Sequence, residues 1–436
     1  MLDRYDRLAR TYGTPLYIYD GQELTAAFER LRDALPVGTQ IFYSLKANPN
    51  LGVCGLLAAS GARAEVSSLT ELITARRAGI GPENIIFLGP GKSEVELAAC
   101  VEAGIRAVVV ESFAELAELD AITARSRGRQ RVLLRVNPAT APGRARLTMG
   151  GKPRQFGIDE ELLLRCGEIG RRYRHLTFSG VHGYLGTRIL DAATVAANTA
   201  LIVNLAEQIA TATGIELDTV DVGGGLGVAY FDGETDPDMN EFRAVMAAAT
   251  GPFRARNPGT TLLFESGRYL TAMAGTYVTR VLYVKESMGK RFAVTDGGTH
   301  HHMAAVGIGS YVKRNFPVRL LSRTGDSTGP WQVTGPLCTP HDLIAKDALL
   351  PDLRPGDLIG IERSGAYGPT ASPGLFLSHG FPAEVLVHGG TEYLVRLRDS
   401  PASLLSMQRL PDFPASSDDK EHPWSPAKHS ITLPSQ

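Results

Sequence analysis

Lys46, Glu265, Arg268 and Cys338 are the side chains whose types and surroundings could do covalent or acid–base chemistry in this chain of 436 residues. Lys46 stands in Phe42-Tyr43-Ser44-Leu45-Lys46-Ala47-Asn48-Pro49, directly after an apolar, strand-like run. An ammonium there loses hydration and must be paired, neutralised or used. Taken alone, it reads equally well as a lysine snorkelling from a strand end. Asp221-Val222-Gly223-Gly224-Gly225-Leu226-Gly227 follows another such run, and glycines let backbone N–H groups approach a phosphate closely. An ordinary turn has the same composition. Phe264-Glu265-Ser266-Gly267-Arg268 sets a carboxylate beside a guanidinium. The guanidinium fork suits a phosphate and the carboxylate suits a protonated ring nitrogen, although a surface ion pair would look the same. Cys338, in Gly335-Pro336-Leu337-Cys338, without its context is a small apolar residue like Cys54, Cys100 and Cys166.

These groups need elements to position them. Strand-like runs alternate with amphipathic helical stretches from about residue 38 to 280, the pattern of a parallel α/β fold. The runs are Gln40–Ser44, Ala64–Val66, Ile85–Leu88, Ala107–Val110, Val132–Val136, Phe178–His182, Thr219–Val222 and Thr261–Phe264, with helices expected at Glu94–Ala103 and Phe113–Arg125. Eight such strands predict a (β/α)8 TIM barrel, and the chemically suggestive residues fall just after strands, on the face where barrels build active sites. Beyond residue 275 short β-rich runs, including Gly275–Val284, Arg291–Thr295, Trp331–Thr334, Leu358–Ile361 and Ala383–Val387, predict an all-β domain, which Thr14-Pro15-Leu16-Tyr17-Ile18-Tyr19 could complete from the N-terminal side. The expected division is a barrel over 30–275, a β domain from 1–29 with 276–400, and a flexible tail over 401–436, where Pro, Ser and charge accumulate after Asp412.

With 43% hydrophobic and 21% charged residues the composition is that of a globular protein, and a net charge of -1 offers no field for nucleic acid or an anionic membrane. No apolar run approaches the ~20 residues that span a bilayer. The start Met-Leu-Asp-Arg-Tyr-Asp-Arg lacks the apolar core of a signal peptide, so a cytoplasmic protein with small-molecule partners is expected. The four cysteines lack zinc-site spacing.

Tyr43-Ser44-Leu45-Lys46-Ala47-Asn48, Gly223-Gly224-Gly225-Leu226-Gly227, Glu265-Ser266-Gly267-Arg268 and Gly365-Ala366-Tyr367 occur in the order seen in the diaminopimelate/ornithine decarboxylase family, which the chain resembles from about residue 10 to about residue 395. The resemblance implies a fold-type III enzyme, alanine racemase-like in architecture, that uses pyridoxal 5'-phosphate and works as a homodimer with shared active sites. It implies that Lys46 forms the Schiff base and that Glu265 keeps the pyridine nitrogen protonated. His182 and Tyr184 would contact the cofactor, and its phosphate would lie among Thr187, Gly224, Gly225, Gly267, Arg268 and Tyr367. Cys338 would protonate the quinonoid intermediate from the partner subunit, and Arg268, Thr339 and Asp342 would meet the substrate.

Four departures from the family pattern stand out, one being that the diaminopimelate-type Arg-Pro-x-x-Tyr segment is not evident around Asn315-Phe316-Pro317. Gly180-Val181-His182-Gly183-Tyr184-Leu185-Gly186-Thr187 puts Tyr184 where a second, ring-stacking histidine is usual, so an aromatic face remains but its electronic tuning differs. Thr339 replaces the carboxylate that holds a distal substrate ammonium. Gly374-Leu375-Phe376 replaces the usual Tyr-Asn. With Asp296-Gly297-Gly298-Thr299-His300-His301-His302 and the segment Met149 to Asp159, they resemble the secondary-metabolism branch acting on amino acids tethered to carrier proteins, as in butirosin biosynthesis. The three histidines are read as structural or substrate-contacting, with no metal expected, since neighbours on a strand face opposite ways. Alternatives to this decarboxylase are a diaminopimelate decarboxylase of lysine biosynthesis, a racemase of the same fold, and a non-catalytic pyridoxal-binding regulator.

Overall fold

In the computed structural model residues 2–126, 128–139, 153–306 and 314–411 are described. Strand β1 (Leu16–Asp20) is followed by β2 (Gln40–Ser44), β3 (Arg63–Val66), β4 (Ile85–Phe87), β5 (Ala107–Val110), β6 (Gln130–Asn137), the two-residue β7 (Ile158–Asp159), β8 (Leu176–His182), β9 (Thr219–Asp221) and β10 (Thr261–Ser266). Strands β2 to β6 and β8 to β10 pair side by side in parallel, β10 closes on β2, and β7 hangs from the end of β6. The expected eight-stranded TIM barrel is therefore present, each strand within two residues of its predicted bounds. Its strands are buried almost throughout, so apolar β-branched runs such as Ala107-Val108-Val109-Val110 face core on both sides. The intervening helices carry their own start and stop signals. Glu94–Ala103 opens on a Ser93/Glu96 capping box and ends on a left-handed Gly104.

The second sheet comprises β1 with β11 (Gly275–Ser287), β12 (Lys290–Thr295), β13 (Val318–Leu320), β14 (Gly329–Thr334), β15 (Leu343–Leu350), β16 (Leu358–Ile361), β17 (Ala383–His388) and β18 (Thr391–Arg396). Strand β1 lies between β11, antiparallel, and β17, parallel, so the N-terminal strand completes this sheet. Strands β13, β15 and β18 are absent from the sequence expectation. β18 is a largely exposed edge strand without apolar alternation, and β15 carries Asp347 at φ +49°. The helix Leu2–Tyr12 was likewise not foreseen; it packs Leu8 and Ala9 against this sheet. Pro401–Leu405 forms a short helix, and most of the expected tail, residues 412–436, lies outside the described residues. No described helix is long and apolar enough to cross a membrane.

The two sheets meet at the turn that carries Lys46. Tyr367 donates its N–H to Ala47 O at 2.7 Å, and Asn48 Nδ2 donates to Gly365 O at 3.0 Å. Glu384 of β17, 3% exposed, accepts from the Tyr19 hydroxyl at 2.8 Å and from Asn50 Nδ2 at 3.0 Å. Removing that carboxylate strands a buried hydroxyl and an amide. Glu384→Ala is therefore expected to lower unfolding stability by about 1–3 kcal/mol in urea titrations, with Glu384→Gln milder.

Candidate active site

At the C-terminal ends of the barrel strands lies a cavity of about 480 Å³ whose wall includes Lys46, Tyr184, Thr187, Glu265, Arg268 and Tyr367. Lys46 sits in the one-turn helix Leu45–Ala47 immediately after β2. Its Nζ donates to both oxygens of Glu65, at 3.1 and 2.9 Å. Glu65 is at the end of β3, the neighbouring strand, where its side chain is fully buried while Lys46 keeps 39% exposure toward the cavity. Burial pulls the lysine pKa down, but Glu65 and then Glu265 outweigh it, and the amine is held protonated.

Glu265, on β10, is buried, with Oε1 at 3.1 Å from His182 Nε2 and with Oε2 unpartnered. Burial would raise its pKa; the His182 hydrogen bond, with the charges of Lys46 and Arg135, holds it below the usual carboxylate range. The glycine loop passes directly beneath, Glu265 N–H donating to Gly223 O at 2.7 Å. A Cβ on Gly224 would stand 1.7 Å from Glu265 O, and one on Gly225, at φ +89°, 2.1 Å from Gly186 O. Only glycine allows that packing.

Arg268 is a half-buried cation with no carboxylate partner among the described residues. Its Nη1 donates to the Tyr230 hydroxyl at 3.0 Å, its Nε is unpartnered, and its guanidinium lies 4.4 Å from the Tyr367 ring centroid. Tyr184 places its ring 5.8 Å from Lys46 Nζ, and burial raises its phenol pKa.

Cys338 is exposed, and neither it, Thr339 nor Asp342 lines the cavity. Asp342 is buried with both oxygens taken, Oδ1 by Thr299 N–H at 2.7 Å and Oδ2 by Leu337 N–H at 2.8 Å. His300, His301 and His302 occupy a turn, not a strand, because His301 N–H bonds Gly298 O at 3.0 Å. His301 Nε2 then reaches Gly380 O at 2.9 Å and His302 Nε2 reaches Ser364 Oγ at 2.7 Å. Met149–Lys152 lie outside the described residues. Phe156, from the same segment, lines the cavity and lies 4.8 Å from the guanidinium of Arg135.

Sequence reading missed Glu65, Arg135, Lys92 and Tyr230. For Glu65 and Arg135 a signal existed: each is the one charged residue of its expected run, Ala64–Val66 and Val132–Val136, and each is buried in an ion pair, Arg135 with Glu111 at 2.8 Å. Lys92 and Tyr230 stand in loops and carry no such mark.

The family described as "Pyridoxal-dependent decarboxylase, pyridoxal binding domain" matches residues 22–272. The chain belongs to that family, and is thereby an amino-acid carboxy-lyase whose cofactor is pyridoxal phosphate. It is 37% identical over 406 residues to the L-glutamyl-[BtrI acyl-carrier protein] decarboxylase of Niallia circulans, covering 92% of this chain and 95% of that one. The diaminopimelate decarboxylase of Helicobacter pylori (strain J99) is 32% identical over 367 residues, 84% of this chain and 88% of its own. A crystal structure of the Helicobacter pylori diaminopimelate decarboxylase complexed with L-lysine superimposes with a TM-score of 0.83 at 30% identity, covering 92% and 98% of the two chains. The cavity fits the group on its own chemistry: its lining holds the amine of Lys46, a carboxylate and a guanidinium that each keep one unpartnered atom, and a glycine loop packs directly against Glu265.

Behind Lys46, Glu71 accepts the N–H of the cavity-lining Ser67 at 2.8 Å, and burial pushes its carboxyl up to about 7. Its folded pKa lies above the unfolded value, so between roughly pH 4.5 and 7 the native state binds more protons and stability falls as pH rises, by up to about 3 kcal/mol. Glu71→Gln is expected to be more stable than the wild type above neutrality and equal to it near pH 4, as read by denaturant unfolding at both pH values.

Proposed function

We propose that Lys46 Nζ is the group that holds the cofactor's aldehyde, a reading carried by one cavity lined by that lysine together with Glu265 and Arg268, whose Oε2 and Nε have no partner. When bound, pyridoxal phosphate supplies an electron-withdrawing ring that accepts the electron pair released as the substrate carboxylate departs. Lys46 must first give up a proton, and Glu65, 2.9 Å away, is the acceptor at hand. Glu265 Oε2 would accept a hydrogen bond from the ring nitrogen. Backbone N–H groups at Gly224, Gly225 and Gly267, with Thr187, Arg268 and Tyr367, would hold the phosphate, His182 supports Glu265, and Tyr184 would contact the cofactor. Arg268 also serves the substrate carboxylate. The exposed Cys338, outside its own cavity, acts in that of a second copy, delivering a proton from Sγ to carbon in a homodimer with shared sites. Thr339 enters with it, and Asp342, with both oxygens occupied, sets the loop that presents them.

The proposed substrate is an amino acid carried as a thioester on an acyl carrier protein, in secondary metabolism in the cytoplasm. Two observations favour it over diaminopimelate: the likeness to a glutamyl-carrier decarboxylase, and Thr339, which offers no charge to a distal ammonium. The barrel, 30–275, would house the cofactor, and the sheet from 1–29 and 276–400 would reach the partner.

Lys46→Ala is expected to abolish the bound cofactor's visible absorbance and decarboxylation together. Cys338→Ala should keep the absorbance and slow carbon dioxide release about 10²–10⁴-fold. Mixing the two variants should restore about a quarter of the sites if two-fold related copies share them, and failure of this complementation contradicts sharing. Carbon dioxide release measured beside free amino acids should favour the aminoacyl carrier; release from free diaminopimelate alone would reject the carrier reading.

A further inference from the structure

His182, Asp221 and Glu265 bring one imidazole and two carboxylates together beneath the cavity, with a polar atom of each within 4.8 Å of the others and all three side chains buried. The barrel register sets this. His182 of β8 is the direct partner of Asp221 in β9, Asp221 is the partner of Leu263 in β10, and Glu265 follows two residues on. Two carboxylates with a single imidazole leave one surplus negative charge. A buried site removes such a charge with a cation or with a proton.

The two carboxylates differ in what supports ionisation. Glu265 has His182 at 3.1 Å and feels the charges of Lys46 and Arg135. Asp221 has one backbone donor, the N–H of Gly223 at 2.9 Å on Oδ1, while its Oδ2 has no partner. The charged groups that act on it are Glu265 from β10, Glu65 from β3, Lys46 from the turn after β2 and Arg106 just ahead of β5, and neither cation donates a hydrogen bond to it. Burial, then the charge of Glu265, pushes its carboxyl well above the ordinary range.

We infer that Asp221 is a neutral acid carrying its proton on Oδ2, a positioning residue that leaves Glu265 as the one negative charge beneath the cofactor's ring nitrogen. This rests on Glu265 being the partner of that nitrogen. An ionised Asp221 would draw a proton onto Glu265, and Oε2 could then no longer act as the charged acceptor. As a neutral acid Asp221 lets both demands be met: the Gly223 turn keeps its acceptor and Glu265 keeps its charge.

The test is infrared spectroscopy of the holoenzyme with Asp carboxyls isotopically labelled, titrated from neutral into alkaline pH. A protonated-acid carbonyl band should be present at neutral pH, persist as pH rises, and vanish in Asp221→Asn. That variant should change the cofactor dissociation constant by less than about threefold and leave the pH dependence of the cofactor absorbance unmoved. Absence of the band from the wild type at neutral pH overturns the proposal without need of any variant, and so does an Asp221→Asn enzyme whose cofactor absorbance titrates differently. Glu265→Gln tests the parent reading separately. It should weaken cofactor binding at least about tenfold and shift its absorbance. An unchanged Glu265→Gln would remove the positioning role, while the band alone would still decide the proton on Asp221.

Discussion

Burying charge at the ends of barrel strands is the constraint around which this molecule is arranged. The ammonium of Lys46 lies against Glu65, the guanidinium of Arg135 against Glu111, and the carboxylate of Glu265 against His182, each pair bridging strands that stand side by side or one strand apart. None of these charges would remain inside a protein without its partner. Because the partners come from different strands, only the closed barrel assembles them. The segment Gly365-Ala366-Tyr367, after β16 of the second sheet, grips the Lys46 turn through Tyr367 N–H to Ala47 O and Asn48 Nδ2 to Gly365 O, so that turn is held from two sides.

Among the described residues that line the cavity, the buried polar atoms left without a partner are Oε2 of Glu265 and Nε of Arg268. Asp342 and His301, outside that lining, have the composition of site residues but spend their hydrogen bonds on backbone. A residue type that suits catalysis is thus distinguished from one that performs it by what its polar atoms already hold.

The barrel was legible because fully buried parallel strands leave unbroken apolar runs, and Lys46, Glu265 and Arg268 were legible because each interrupts the pattern just past a strand. The edge strand β18, exposed and without alternation, left no such mark, nor did the bulged β15. Glu65 and Arg135 did interrupt their strands, but their meaning lies in partners 19 and 24 residues away that sequence spacing does not reveal. Expecting the three histidines on a strand failed for a local reason: Gly298 turns the chain, and the imidazoles follow the turn rather than alternate across a sheet. Tyr184 in place of histidine, and Thr339 in place of a carboxylate, were visible from the outset as departures from the family pattern.

The central claim is that Lys46, rather than another amine of the cavity, holds the cofactor. Lys92 lines the same cavity, its side chain buried against Glu115 and Gly89. Borohydride reduction of the holoenzyme, followed by peptide mass spectrometry, distinguishes the two. The adduct is expected on the peptide containing Lys46, at one equivalent per chain; an adduct on Lys92, or no covalent adduct in a protein that decarboxylates, would contradict the account.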